Sequence, residues 1–149
     1  KLAEPVRTPS GENVRFEARL PDDQEWEKAA AWDPEAYSAR VYPWGLEWNR
    51  NLGTVNGPGP VARTAVAMDI SAVGAKAMAG NVREWVQDAS GGGQSGGIAS
   101  LRGGCYKTFE NVQVACRNTR RLPQRSIDEL NQRTNTYGMR LLISAPGRK

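Results

Sequence analysis

The run Gly80-Asn81-Val82-Arg83-Glu84-Trp85, set between Ala77-Met78-Ala79 and Val86-Gln87-Asp88, constrains this chain more than any other stretch. Gly80-Asn81 offers backbone able to take positive φ, so the chain can reverse there. The residues beyond it alternate, and a strand would place Val82 and Glu84 on one face and Arg83 and Trp85 on the other. Two readings stay open. A carboxylate and turn carbonyls this close together could hold a hard cation. The plainer reading is a tight turn into a half-buried strand, with Trp85 in the core.

The chain has 149 residues, enough for one domain that buries roughly two thirds of its unfolded surface. Gly and Pro are plentiful and apolar content is modest, which predicts a loop-rich domain anchored by its five Trp residues. The net charge of +4 is dispersed, with a loose cluster at Arg117, Arg120, Arg121 and Arg125. This reads as a solvated basic face and does not argue for nucleic acid. Histidine is absent, which excludes Ser-His-Asp and Cys-His catalysis, histidine-bearing zinc sites and the facial iron triad. Cys105 and Cys116 have no metal-binding spacing. They read as separate buried thiols, or as one disulfide if they face each other across a hairpin. No run of about 20 apolar residues is present, so no membrane span is expected. The compartment is left open, with the cytoplasm favoured.

Along the chain, residues 5–15 read as a polar loop, and Val14 to Leu20 alternate as a strand. A helix is expected from about Asp23, with Asp22 as N-cap and Glu25 completing a capping box. Trp26, Ala29 and Ala30 form its buried stripe, and Asp33-Pro34 ends it. Residues 42–63 form a long irregular loop rich in Gly and Pro. Loops of this length are usually functional, disordered or pinned by an ion, and Trp44 and Trp48 are the expected anchors here. Residues 90–98 are a low-complexity surface loop. Strands are expected over Leu101 to Tyr106, Val112 to Arg117 and Gly138 to Ile143, with a short helix at Ser126–Gln132.

"MAGNVREWVQD" resembles the Met-Ala-Gly-Asn-Val-Trp-Glu-Trp signature of the formylglycine-generating-enzyme, or sulfatase-modifying-factor, family. Other landmarks follow in that family's order. They are Arg19-Leu20-Pro21 with Glu25-Trp26-Glu27-Lys28-Ala29-Ala30, Tyr42-Pro43-Trp44-Gly45, Arg102-Gly103-Gly104, Ala115-Cys116-Arg117 and Tyr137-Gly138-Met139-Arg140-Leu141. The resemblance implies an α+β, C-type-lectin-like fold, loop-rich with small antiparallel sheets, as a single domain over residues 1–149. Lys1-Leu2-Ala3-Glu4 resembles the end of a family helix. We therefore expect the first strand and most of that helix to lie upstream, in a longer polypeptide.

The catalytic members of that family bind copper(I) through a pair of cysteines, and the matching positions here are Thr108 and Gln113. Neither supplies a thiolate, so the copper-dependent oxidase reading fails at its ligands. The family's iron-dependent sulfoxide-synthase branch holds its metal with histidines, and the missing histidine separates the chain from it. Calcium sites of the family map onto Gly80, Val82 and Glu84, with Ala77 in place of an oxygen ligand, and onto Asn51 and Leu52. Calcium could bind there, but no cofactor is required. If no ion binds, Glu84 is expected to pair with Arg83, Lys76 or backbone amides, and Asn81 to cap the turn.

With the catalytic ligands gone, the leading expectation is a non-enzymatic domain that binds a protein or a small molecule. Its layout resembles the variable proteins of diversity-generating retroelements. The binding face would comprise Tyr106, Thr108, Phe109, Glu110, Asn111, Asn118, Arg120, Asn131, Asn135 and Tyr137. The landmark arginines Arg102, Arg117 and Arg140 are expected to hold loops through carboxylates or carbonyls. The alternatives are a divergent oxidoreductase of the same family and a structural or regulatory module of a larger protein.

Overall fold

The computed structural model describes residues 6–7, 9–11, 13–14, 16–87, 99–109, 116–117, 121–122 and 135–144. Among them is one α-helix, α1 (Asp23–Ala31), with ten short strands and one 3-10 turn at Arg63–Ala65. The strands are β1 (Val6–Arg7), β2 (Asn13–Val14), β3 (Glu17–Arg19), β4 (Trp32–Asp33), β5 (Ser38–Ala39), β6 (Arg83–Gln87), β7 (Ala99–Arg102), β8 (Arg121–Leu122), β9 (Tyr137–Met139) and β10 (Leu142–Ser144). Three two-stranded antiparallel sheets pair β1 with β2, β3 with β10 and β4 with β5. The fourth sheet runs β8-β7-β6-β9. The class is α+β, and most of the described chain is loop.

Helix α1 starts where its capping chemistry dictates. Asp22 Oδ1 accepts from the Glu25 N–H at 2.8 Å, and Glu25 Oε2 accepts from the Asp22 N–H at 2.9 Å, which completes the capping box. The Glu25 carboxylate also takes both terminal nitrogens of Arg19 at 2.6 Å, so the cap ties the helix to β3. Trp26 and Ala30 are buried, and Ala29 packs beside them. The helix stops two residues before Asp33-Pro34. Trp32 turns extended and, with Asp33, pairs with β5.

Strand β6 is the organising element. It pairs antiparallel with β7 (Glu84 opposite Arg102) and parallel with β9 (Glu84 opposite Gly138). That parallel pair corrects the expectation of antiparallel sheets alone. Glu84 and Val86 are buried on one face of β6, and Val86 packs with Trp26, Ala30 and Met78 beneath α1. Trp85 is on the other face and is half-buried, with its ring edge-on to Tyr137 at 5.5 Å. It is therefore not the core residue expected; Trp26 takes that place.

Two expected strands divide. Residues 14–20 contribute to β2 and β3, which pair with different partners, β1 and β10. The final strand breaks at Arg140-Leu141, because the Arg140 side chain reaches Glu84 and the Lys76 carbonyl. β9 then serves the main sheet and β10 pairs with β3. Residues 116–117 lie in a turn, and the remainder of the strand expected at 112–117 falls outside the described residues, as do the low-complexity loop and the helix expected at 126–132.

Asp22→Ala removes the N-cap acceptor and is expected to lower unfolding stability by about 1 kcal/mol. Urea unfolding checks this as a lower midpoint at unchanged slope.

Candidate functional site

The turn at residues 77–81 joins four segments. Positive φ falls at Asn81 (67°) and Ala77 (59°) rather than at Gly80. Gly80 is required for space instead, since a Cβ there would lie 2.3 Å from the Thr54 carbonyl oxygen. The Asn81 N–H donates to that same carbonyl at 2.6 Å. Its side chain clamps Val61 at two points: Oδ1 accepts from the Val61 N–H at 2.8 Å, and Nδ2 donates to the Val61 carbonyl at 3.2 Å. The Asn81 carbonyl accepts from the Tyr106 N–H, and the Tyr106 carbonyl accepts from the Gly57 N–H. Asn81 thus spans from the 54–61 loop to the 103–109 segment. Gly103, at φ 76°, brings that segment close to the Met78 carbonyl.

The long loop is held from its other side by aromatic rings. Tyr42 stacks on Trp44 at 5.4 Å, and Trp48 lies 5.4 Å from Tyr42 and 5.8 Å from Trp44. This cluster packs on Ala79 and Cys116. Hydrogen bonds and rings therefore do the work that the sequence reading allowed to an ion.

Beneath the turn lies Asp69, which stands too near the signature to match the downstream Asp of the family's second calcium site. It is fully buried, and its carboxylate accepts from the Ala79 and Gly80 N–H groups at 3.1–3.2 Å. Burial pushes its pKa from 3.8 to about 6, against the pull of the amides, and Glu84 nearby adds to the rise. The available signal was an acid flanked by Met68 and Ile70 shortly before the motif. The thiol of Cys116 is pushed up to about 12 by burial, with Asp69 and Cys105 contributing, which favours the neutral thiol. Both cysteines are free and buried. Thr108 Oγ1 accepts from the Cys105 N–H at 3.0 Å, which gives the hydroxyl a structural task.

Glu84 is saturated by donors. Its Oε2 accepts from the Trp26 indole N–H at 2.7 Å and from Arg140 Nε at 3.0 Å, and its Oε1 accepts from an Arg140 terminal nitrogen at 2.8 Å. The partner expected among Arg83, Lys76 and backbone amides is therefore Arg140, which also donates to the Lys76 carbonyl. A carboxylate carrying a bidentate guanidinium and an indole donor has little left for calcium. Gly80 and Val82 sit on the same turn. Asn51 and Leu52 belong to a separate turn, where their N–H groups donate to Asn49. Among the described residues, no three His, Cys, Asp or Glu side chains gather to hold a metal. Arg102 is 1% exposed and bonds Glu27 and the Asp23 carbonyl, as expected of a landmark arginine; Arg117 is exposed.

The expected binding face is only partly assembled. The Tyr106 and Thr108 side chains are buried, at 1% and 6% exposure. Tyr137 is half-buried against Trp85, while Phe109 and Asn135 are exposed. Glu110, Asn111, Asn118, Arg120 and Asn131 lie outside the described residues, as does Gln113.

The sulfatase-modifying factor enzyme 1-like domain model matches residues 10–145. Hercynine oxygenase of Mycobacterium tuberculosis is 50% identical over 74 residues, covering 46% of this chain and 17% of that protein. Hercynine oxygenases of Mycolicibacterium smegmatis and Mycolicibacterium thermoresistibile are each 45% identical over 73 residues, again 46% of this chain and 17% and 16% of theirs. The match thus spans less than a fifth of these relatives. They are named as enzymes, and this overturns the expectation of a non-enzymatic, cofactor-free binder. Missing copper cysteines at the matched positions therefore do not imply missing catalysis. Missing histidine excludes a histidine-held metal within these residues only. None of the relatives named here is a retroelement variable protein. No helix of the described residues is long and apolar enough to cross a membrane.

Two outcomes check this site. Replacing Arg140 by Met leaves the Glu84 charge buried with the indole as its remaining described donor, and should cost about 3–5 kcal/mol in denaturant unfolding. Asp69 binds its proton more tightly folded than unfolded, so its stabilising contribution is complete below pH 3.8 and is lost as pH rises through about 6. That contribution is on the order of 3 kcal/mol. The stability of the native protein relative to Asp69→Asn should therefore fall between pH 4 and pH 7; a constant difference would contradict the assignment.

Proposed function

The chain belongs to the sulfatase-modifying factor enzyme 1-like family, and on that premise we propose that it is the C-type-lectin-like portion of an oxygenase related to hercynine oxygenase. The observation that carries this reading is the 50% identity over 74 residues to an enzyme of that name. A small betaine of the hercynine type is the proposed substrate class.

An oxygenase needs a group that activates oxygen, and the residues described here do not fit one. Histidine is absent from the chain, Cys116 is held as a neutral thiol, Asp69 is taken up by backbone amides and Glu84 by Arg140 and Trp26. The role proposed for these residues is to present a rigid surface, on which the Asn81 clamp and the Tyr42–Trp44–Trp48 cluster fix the long loop beside the 103–109 segment. Preorganised scaffolds of this kind set the geometry in which a reaction occurs.

The test is hercynine-dependent oxygen uptake by the polypeptide that carries these residues, with ferrous and cuprous ions supplied in separate arms. Uptake with an oxidised hercynine product by mass supports the reading. Absence of both in each arm would remove it and favour a structural or regulatory module. Asn81→Ala frees Val61 and is expected to lower turnover at least tenfold while shifting unfolding by about 1–3 kcal/mol.

A further inference from the structure

The β4–β5 hairpin carries both a knob and a hole. The knob is Tyr37, the most exposed large apolar side chain among the described residues, at 82%. Its backbone sits at φ 50°, a conformation that glycine or asparagine adopts at lower cost. The turn is pinned all the same. Asp33 Oδ1 accepts from the Glu35 and Ala36 N–H groups, and its Oδ2 takes two nitrogens of Arg40 at 2.9 and 2.6 Å. Arg40 also bonds the Pro43 carbonyl, so the hairpin is held at its base. A pinned, strained turn that projects a ring into solvent gains nothing for the packing of its own chain.

The hole is an open groove of about 490 Å³ between the hairpin and α1, large enough for an aromatic side chain. Its apolar part is Ala31, Trp32 and Ala39, the last two opposite each other in β4 and β5. Asp23 and Glu27 border it, but the buried Arg102 engages both. The charge left for a partner is that of the exposed Lys28.

Tyr37 stands two residues from Ala39, roughly 7 Å along the hairpin at strand rise. A second copy, related by a twofold axis near Ser38, lays the two hairpins antiparallel. Each Tyr37 then reaches the groove of the other copy, and each exposed Glu35 meets the other copy's Lys28. One patch supplies both halves of both contacts, which is what an isologous dimer requires. We propose that the β4–β5 hairpin and its groove form a twofold interface between two copies of this chain, with Tyr37 of each seated on Trp32 of the other. The inference does not depend on the oxygenase reading.

The test is sedimentation equilibrium of the polypeptide that carries these residues, at concentrations up to about 1 mM. A reversible monomer–dimer equilibrium is expected. Tyr37→Asn keeps a residue suited to the turn and should weaken dimerisation about tenfold or more, without lowering the melting temperature of the dilute monomer. Lys28→Glu and Glu35→Lys should each weaken it, and the double exchange should restore it. Cys105 and Cys116 are buried, so Ser38→Cys adds an exposed thiol beside the axis. It should oxidise to a linked dimer faster than Thr64→Cys, which exposes a thiol in the 3-10 turn. A protein that stays monomeric, as it would if another segment of the same polypeptide fills the groove, overturns the proposal. So does a dimer indifferent to Tyr37→Asn and to the charge exchange, or equal linking of the two cysteine variants.

Discussion

The contact on which most of this structure depends is the Trp26 indole set between two charges. Its N–H donates to Glu84 at 2.7 Å, and the Arg102 guanidinium lies over its ring at 5.2 Å. The network runs outward from there, through Arg102 to Asp23 and Glu27 on the helix and through Glu84 to Arg140 beyond β9. Each charge is buried or half-buried beside an opposite one, which offsets a desolvation cost that either would otherwise carry alone. Helix, sheet and the crossing after β9 are fixed relative to one another by this one layer. A purely apolar layer would bury comparable area but would not specify which arginine meets which acid.

Above that layer the domain has few regular elements to rely on. Strands of two to five residues contribute few ladder bonds. The loops are held instead by paired side-chain and main-chain contacts: Asn81 on Val61, Asp69 on the 79–80 amides, Asp33 on its own hairpin with Arg40. Within the family signature, Asn81 and Glu84 hold neighbouring segments in place. Glu84, for which calcium was one of two readings, pairs with Arg140 and Trp26, and Tyr106, expected on the binding face, is buried.

Several features were legible because they depend on neighbours in sequence. The capping box at Asp22 and Glu25 is read from spacing alone, since an N-cap and its N3 partner meet within one turn. The loop character of residues 42–63 follows from its Gly and Pro content. The landmark arginines Arg102 and Arg140 were expected to hold structure through carboxylates, and they do. Illegible features depend on partners far apart in the chain. Asp69 is buried only because the 77–81 turn closes over it. Trp85 and Trp26 both suited a core, and only the direction of β6 decided between them.

By itself, the sequence determined the start of the helix, the loop-rich α+β class, the family and the absence of a histidine-based site within these residues. These rest on local spacing, on composition and on motif order, none of which requires knowing what meets what. The tertiary structure alone decided that Glu84 belongs to Arg140 and Trp26, that Gly80 is glycine because Thr54 approaches it, that one strand pair is parallel, and that a braced groove opens beside the helix. Each of these is a long-range pairing. Burial and desolvation act only on groups that the folded chain has already brought together.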